Sequence, residues 1–199
     1  MGRRDDTKAE TRELILNSAR DMFWEKGVEK CTIRDIADAA GVSAASVIVH
    51  FKNKTALLEA ALSDDLEQAL GQIIATLPAG KGLQDVLFHM VSYMLTFYDK
   101  NRELYRILIR DTLYQPVQDI PSIAMLEEQH FQFLTNLIEH EKEEGRVRLT
   151  IDSRVATAAL YSLYIGILRN FLRDPALSVQ KTMEQLAVTL EQYLSGIAV

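Results

Sequence analysis

The apolar side chains of this sequence recur every three to four residues over most of its length, which is the period of an α-helix. In Ile33–Ala40 they fall at i, i+3, i+4 and i+7, and Gly41 follows directly. Glycine readily takes the left-handed conformation that ends a helix. Ser43 is then placed to cap a second short helix, which Val47 and Phe51 would anchor. The pattern predicts two helices joined by a tight turn, which is the plan of a helix-turn-helix.

A longer amphipathic helix precedes this pair. We expect it to begin near Thr11, with Ile15, Ala19 and Phe23 on its apolar face and Gly27 at its end. The basic residues ahead of it are predicted to form an N-terminal arm with donors for DNA: Arg3, Arg4 and Lys8.

Glycine, proline and capping residues divide the rest of the chain into six further helices, and no alternation typical of a strand is found. The predicted ranges are about 56–76, 83–98, 102–113, 122–144, 153–173 and 178–194. The sequence therefore predicts an all-α fold with three helices in the N-terminal part and six behind them.

The stretch from Thr11 to about Leu62 resembles the DNA-binding domain of the TetR family of transcriptional regulators. The positions that agree with the family pattern in order and spacing are Ile15, Leu16, Ala19, Phe23, Gly27, Thr32, Ile36, Ala37, Ala40, Gly41, Val42, Ser43, His50, Phe51 and Lys54. The resemblance implies a helix-turn-helix head at residues 1–54 and a ligand-binding domain at residues 55–199 that dimerises through a four-helix bundle. It also implies a ligand-responsive regulator, most often a repressor, that binds a palindromic operator as a homodimer and is released by a small molecule.

By the same resemblance, Thr32 caps the first helix of the motif and contacts phosphate, and Lys54 binds phosphate at the start of the fourth helix. The predicted DNA-contact set is Thr32, Arg34, Ser43, Ala44, Ser46, Ile48, His50, Lys52 and Lys54. For each polar member a structural role remains open: a helix cap for Thr32 and Ser43, packing or capping for His50, and solvated surface for the lysines.

The recognition helix departs from the family pattern. Ala44-Ala45-Ser46 stands where Lys-Gly-Thr is usual, and Ile48-Val49 stands where two aromatic residues are usual. Alanine and isoleucine side chains donate no hydrogen bond to phosphate, so we expect weaker or rearranged backbone contacts. These apolar side chains can instead touch thymine methyl groups. An alternative is a regulator of this fold with weak operator binding, controlled by a protein partner that contacts the apolar face.

The acidity of the chain lies mainly outside the predicted DNA-binding part. The net charge is −6 overall, +1 over residues 1–54 and −7 over the remainder. A DNA-binding protein needs a local basic footprint rather than a basic total. The single cysteine, Cys31, excludes an intrachain disulfide and is expected to be a partly buried structural thiol.

Two further sets of residues are predicted behind the head. Met, Tyr and Phe side chains suit an adaptable, largely apolar effector pocket, and the candidates are Met90, Tyr93, Met94, Phe97, Phe131 and Tyr161. The last two helices each carry an apolar stripe for a partner subunit, and the predicted interface residues are Leu163, Ile167, Phe171, Leu186 and Leu190.

Other function classes find little support in the sequence. There is no glycine-rich phosphate loop, no Cys or His pair at metal-ligand spacing and no nucleophile elbow, so we expect no enzyme activity, metal or cofactor. No apolar run approaches the length of a bilayer-spanning helix, and the N-terminus lacks the apolar core of a signal peptide. We therefore expect a cytoplasmic protein without a membrane partner.

Overall fold

A computed structural model describes the backbone of residues 3–197 and the side chains of residues 7–197. Within that range nine α-helices form and no strand does, which confirms the all-α prediction. The helices are α1 (Arg3–Lys26), α2 (Ile33–Ala40), α3 (Ala44–Phe51), α4 (Lys54–Ala75), α5 (Leu83–Asp99), α6 (Arg102–Thr112), α7 (Pro121–Glu143), α8 (Ser153–Arg173) and α9 (Val179–Ser195).

The first helix is longer than the apolar pattern predicts. It begins at Arg3 rather than near Thr11, so the expected basic arm has a helical backbone. The added segment contains neither glycine nor proline, and good helix formers extend a helix without any apolar stripe. Lys8 is exposed on it, whereas the side chains of Arg3 and Arg4 lie outside the described residues.

The chain divides into two compact units. Unit 1 takes in the chain up to Leu66 together with Asn101–Ala124, and unit 2 takes in Glu67–Lys100 together with the chain from Met125 onward. The division predicted at residues 54/55 separates DNA contact from ligand binding, and as a functional boundary it stays a prediction.

An apolar core holds the helix-turn-helix within unit 1. Ile15 and Phe23 of α1, Ile36 of α2 and Val47 of α3 are fully buried, because the apolar stripes of the three helices meet. The guanidinium carbon of Arg12 also lies 5.3 Å from the centroid of the Phe51 ring. One side of α3 is thereby attached to α1 and α2, and the other side faces outward.

In unit 2, α8 has more apolar surface than its own core covers. Its length and a mean hydropathy of 1.3 over its most apolar window are enough for a membrane span, although only 33% of that window is buried. This finding contradicts the expectation that no apolar run approaches the length of a bilayer-spanning helix. The hydropathy of α8 is high because apolar residues lie on two sides of the helix. Leu160 and Leu168 are buried, whereas Val155 is 67% exposed. A single helix of this kind is weak evidence for a membrane, since helices that pack against protein on both sides have the same composition.

Candidate nucleic-acid interface and ligand groove

A tight turn joins α2 to α3. Gly41 ends α2 in the left-handed region, at φ 69°, where a Cβ atom would add strain. The Gly41 N–H donates to the Asp38 carbonyl at 3.3 Å, and the Val42 N–H donates to the Ala37 carbonyl at 3.0 Å. This pair of bonds is the Schellman motif, and it confirms the turn predicted at Gly41.

Both helices of the motif carry side-chain caps at their N-termini. Ser43 Oγ accepts the Ser46 N–H at 3.1 Å. At α2, Thr32 Oγ1 accepts the Asp35 N–H at 3.1 Å, while the Asp35 carboxylate accepts the Thr32 N–H at 2.9 Å, which completes a capping box. The predicted caps are confirmed, and the phosphate contact of Thr32 stays a prediction.

The Asp35 carboxylate at the start of α2 was not predicted from the sequence. It also accepts the Thr32 hydroxyl at 2.6 Å, and these hydrogen bonds hold the pKa of Asp35 below its usual range. The group is therefore ionised at neutral pH and exposed to solvent. A phosphate that approaches this helix end meets a negative charge and a hydroxyl that is already engaged.

The outward side of α3 is mainly apolar. Val47 and Phe51 are buried, whereas Ile48 is 45% exposed and Val49 is 77% exposed. The exposed positions of this outer face are Ala44, Ala45, Ile48 and Val49.

Polar and basic side chains border the outer face. Ser46 and His50 are the two polar residues of α3, and both are half-buried. Arg34 on α2 and Lys52 after α3 are exposed, and Lys54 at the start of α4 is half-buried. The predicted DNA-contact residues therefore lie on α2 and α3, at the N-caps of these two helices, in the turn after α3 and at the start of α4.

The turn between α3 and α4 has a strained backbone. Lys52 takes φ 61° and ψ −53°, and across it the Asn53 N–H donates to the Phe51 carbonyl at 2.6 Å, so the three residues close a γ-turn. Such a conformation costs about 1–3 kcal/mol in a residue other than glycine. Asn53 Oδ1 then caps α4 by accepting the Ala56 N–H at 2.8 Å, and the Lys52 ammonium lies 3.7 Å from the Asp119 carboxylate. The cap at Asn53 was not predicted from the sequence, although Asn is a favoured N-cap residue.

The single cysteine lies in the core beneath the motif. Cys31 is 1% exposed, and its thiol donates to the carbonyls of Met22 and Gly27, each at 3.3 Å. Burial raises the pKa of this thiol, which is typical of a structural cysteine. Cys31 is more deeply buried than the partly buried thiol that was expected. Among residues 7–197, no group of three His, Cys, Asp or Glu side chains is placed to hold a metal ion.

A groove of about 640 Å³ runs along α5 in unit 2. Its lining residues are Phe88, His89, Ser92, Tyr93, Thr96, Phe97, Lys100 and, from α9, Met183. The Lys100 ammonium lies 5.5 Å from the centroid of the Phe97 ring, and His89 Nε2 lies 3.0 Å from Thr76 Oγ1. The groove combines aromatic walls with hydroxyl groups and, near the C-terminal end of α5, a cation.

Two of the six predicted ligand residues, Tyr93 and Phe97, line this groove. Met90 and Met94 are buried in the core of unit 2 instead. Phe131 lies apart from the groove, and the Arg154 guanidinium carbon is 5.5 Å from its ring centroid. His89 and Lys100, which supply polarity, were not in the predicted set.

Tyr161, the sixth predicted residue, belongs to a separate polar cluster of unit 2. Its hydroxyl donates to Glu127 Oε1 at 2.9 Å. Tyr98 and Tyr164 hydrogen-bond to each other, and burial raises the pKa of Tyr98 to about 12. These phenols are therefore protonated at neutral pH. Glu127 was missed because its contact depends on which sides of α7 and α8 meet.

The residues predicted for the dimer interface divide into two groups. Leu163 and Ile167 are half-buried on α8. Phe171, Leu186 and Leu190 are 0%, 2% and 3% exposed, so they belong to the core of their own subunit and offer no surface to a partner. The helical period identified the apolar stripes but not which stripe faces the subunit's own core.

Small and apolar residues lie on the exposed side of these helices instead. Ser162 and Gly166 of α8 are exposed, and Val188 of α9 is 59% exposed. A Cβ atom added at Gly166 would meet nothing within 4 Å apart from its chain neighbours and the adjacent backbone of its own helix. The surface around Gly166 is therefore open in the single subunit.

Comparison with known proteins points to one family. Residues 15–61 match the family model described as "Bacterial regulatory proteins, tetR family". The HTH-type transcriptional regulator UidR of Escherichia coli strain K12 is 24% identical over 164 residues, which cover 79% of this chain and 80% of UidR. Residues 15–61, which match the family model, include both helices of the motif and the turn between them.

Two solved structures are similar over nearly the whole chain. NalD of Pseudomonas aeruginosa, the secondary repressor of the MexAB-OprM multidrug efflux pump, is 27% identical with a TM-score of 0.59, over 96% of this chain and 97% of its own. Thermus thermophilus FadR, a transcriptional repressor solved with lauroyl-CoA, is 21% identical with a TM-score of 0.75, over 94% of this chain and 95% of its own. At that identity, the likeness to FadR concerns the fold alone.

Proposed function

We propose that this chain, which belongs to the TetR family of transcriptional regulators, is a repressor that binds a palindromic operator as a homodimer and is released by a small molecule. The observation that carries the proposal is the helix-turn-helix formed by α2, Gly41 and α3, with one side of α3 facing outward. Two such helices related by a two-fold axis have the symmetry of a palindrome. We expect the protein to be located in the cytoplasm, together with its operator DNA.

The predicted contact residues have different roles on DNA. Arg34, Lys52 and Lys54 neutralise phosphates, which supply most of the affinity and all of its salt dependence. Ala44, Ser46, Ile48 and His50 approach the bases from α3, and Thr32 and Ser43 add contacts beside the helix ends that they cap. Lys52 must leave the Asp119 carboxylate before it can bind a phosphate, and this exchange reduces its net contribution to the free energy of DNA binding.

The proposed dimer forms through the exposed sides of α8 and α9. Support comes from the apolar surface of α8 that its own subunit leaves uncovered. Leu163 and Ile167 retain their proposed role, beside Gly166 and Val188. Four helices, two from each subunit, then pack around the two-fold axis.

The proposed effector site is the groove along α5. Its aromatic walls suit an apolar molecule, and Lys100 suits an anionic group on that molecule. FadR was solved with lauroyl-CoA, which joins an apolar chain to an anionic head, so lauroyl-CoA is the first probe to use. The effector acts by population shift, since DNA and effector favour different separations of the two heads. α4 begins directly after the motif and runs into unit 2, which makes it the connecting element.

The experiment that tests the proposal is selection of bound fragments from a random pool of duplex DNA, with the purified full-length protein. We expect a palindrome whose affinity falls steeply as salt rises. Lys54→Ala should weaken binding to all sequences and lower the salt slope by about 1. The matched control is Lys81→Ala, which removes an exposed lysine of unit 2. A folded, dimeric protein that enriches no sequence would overturn operator binding.

A second candidate is a regulator of the same fold whose operator binding depends on a protein partner. The Asp35 carboxylate at the start of α2 favours it, because this charge opposes phosphate. In that case, the pool selection succeeds only when the partner protein is added.

A further inference from the structure

The composition of α3 restricts which bases it can recognise. Six of the eight residues in AASVIVHF are apolar, and the polar ones are Ser46 and His50. Direct recognition of guanine commonly uses Arg or Lys, that of adenine uses Asn or Gln, and that of cytosine uses Asp or Glu. α3 carries none of these residue types. Its specificity therefore cannot come mainly from paired hydrogen bonds to base edges.

The outer face of α3 presents methyl and methylene groups where a base contact is made. Val49 is 77% exposed and Ile48 is 45% exposed, and Ala44 and Ala45 lie exposed at the N-terminal end, which approaches the bases most closely in this motif. The C5-methyl group of thymine is the apolar feature of the major groove. Burial of apolar surface between the outer face and this methyl group is favourable. Because the other bases carry no such methyl group, the contact distinguishes thymine from them.

We infer that α3 recognises its operator through thymine methyl groups, so that each half-site places thymines beneath the outer face. The inference rests on the proposed operator binding and adds the base preference of that site. From Ala44 to Val49 the helix rises about 8 Å, which corresponds to two or three base-pair steps of about 3.4 Å. We expect each half-site to contain two or three such thymines, on either strand.

The surroundings of the outer face favour DNA over an apolar protein surface as its occupant. The face is continuous with the motif that matches the family model. Arg34 and Lys52 are exposed on the elements before and after α3. The acidic groups nearest to them are Asp35, which follows Arg34 in α2, and Asp119, which lies 3.7 Å from the Lys52 ammonium. Basic groups around an apolar centre complement a groove whose rims are phosphates and whose floor carries methyl groups.

The test uses the operator obtained by pool selection, synthesised with uracil in place of individual thymines. Uracil keeps the base pair and loses only the methyl group. At each contacted thymine we expect about three- to fivefold weaker binding, from the loss of one buried methyl group. At thymines outside the half-sites we expect no change. Restoring a methyl group as 5-methylcytosine at a contacted position should strengthen binding relative to cytosine by a similar factor.

A protein variant separates methyl contact from an effect of uracil on DNA shape. Val49→Ser removes both methyl groups of the side chain and leaves a hydroxyl in their place, whereas threonine would keep a methyl group that can still contact thymine. At the thymine beneath residue 49, the ratio of thymine to uracil affinity should fall towards 1 in this variant, which is the signature of direct coupling. The matched control is Val117→Ser, at a valine of unit 1 that is 69% exposed outside the motif, and its ratio should equal that of the unchanged protein.

The failures of the two proposals are distinguishable. An operator that is selected and bound equally with thymine or uracil overturns the methyl inference and leaves operator binding intact. The methyl inference is also overturned if Val49→Ser, shown to be folded and dimeric, keeps the full preference for thymine at every position. If no sequence is selected at all, operator binding fails and the methyl inference fails with it.

Discussion

The buried carboxylate of Glu59 accepts a hydrogen bond of 2.8 Å from the backbone N–H of Ile123. Glu59 lies on α4 and is 2% exposed, and Ile123 stands in the first turn of α7. The first N–H groups of a helix have no partner within the helix and favour a negative charge. One acidic side chain of α4 therefore caps α7 within unit 1.

Replacing Glu59 should destabilise the protein. Glu59→Ala leaves a buried N–H without its acceptor, which costs about 1–3 kcal/mol of unfolding free energy, and Glu59→Gln should cost less because its amide oxygen can still accept. Urea unfolding followed by circular dichroism measures both. The control is Glu67→Gln, at an exposed position of the same helix, and equal stability of Glu59→Ala and this control would contradict the capping role.

Stability should fall with acid partly through Glu141. This carboxylate is 2% exposed. It accepts two hydrogen bonds from the Arg146 guanidinium, at 2.7 and 2.8 Å, and the Leu83 N–H at 3.3 Å. The Arg146 contact holds the pKa of Glu141 below its ordinary range, so its contribution is complete above the unfolded value of about 4.3 and is lost as the pH falls through the folded value.

Glu141→Gln should therefore lower the urea midpoint near pH 7 and flatten its decline below about pH 4.3. Glu144→Gln is the control, because Glu144 also contacts Arg146, at 3.4 Å, but is exposed. If both variants follow the same pH curve as the unchanged protein, Glu141 is not the group that titrates.

Dimerisation should be sensitive to bulk at Gly166. Gly166 is exposed, and a Cβ atom added there meets open space in the single subunit. Its replacement by leucine also removes a mid-helix glycine, which favours the helix by up to about 1 kcal/mol. If the exposed side of α8 packs against a partner, Gly166→Leu should yield folded monomers in analytical ultracentrifugation. Gly71→Leu on α4, at an equally open glycine, should remain dimeric. A dimeric Gly166→Leu would place the interface elsewhere.

The negative charge at the start of α2 should oppose DNA binding. Asp35→Asn removes the charge and keeps an oxygen that can accept the Thr32 N–H. We expect tighter binding to operator and unrelated DNA alike, with a larger gain at low salt. Fluorescence anisotropy over a salt series measures this, with Asp85→Asn on α5 as the control. A gain confined to the operator would instead indicate a base contact.

Effector release should depend on the groove residues of α5. If lauroyl-CoA releases DNA from the unchanged protein, as proposed, then Tyr93→Ala and Phe97→Ala, which remove aromatic wall, should raise the concentration needed for release or abolish it. Tyr161→Phe removes the hydrogen bond to Glu127 in the other cluster and should leave the response unchanged. If Tyr161→Phe abolishes the response while the groove variants keep it, the tyrosine cluster is the effector site.

Local signals in the sequence predicted more than the periodic ones. Gly41 and Ser43 specify a left-handed turn and a cap through their own backbone and side chain, and both were found where expected. Phe171 and Leu186 show the limit of periodicity, since α8 is apolar on two sides and only packing decides which side is internal. The start of α1 at Arg3 shows a second limit, because a polar helix extension leaves no apolar stripe to detect.

The candidate site follows the same division. Residues that act through chain-local geometry, such as Thr32 and Ser43, could be identified from the sequence. Residues defined by contacts between distant elements could not be identified in this way. Glu127 and Tyr161 are an example, because they form a hydrogen bond although they lie 34 positions apart in the sequence.

The burial of Cys31 gives the head a built-in reporter of its own opening. It is the only thiol in the chain, and its sulfur is enclosed by the carbonyls of Met22 and Gly27. A maleimide can therefore label the native protein only when the helices around Cys31 separate, so the labelling rate measures how often the head opens. DNA bound across the motif should slow that rate, and the measurement requires no engineered label.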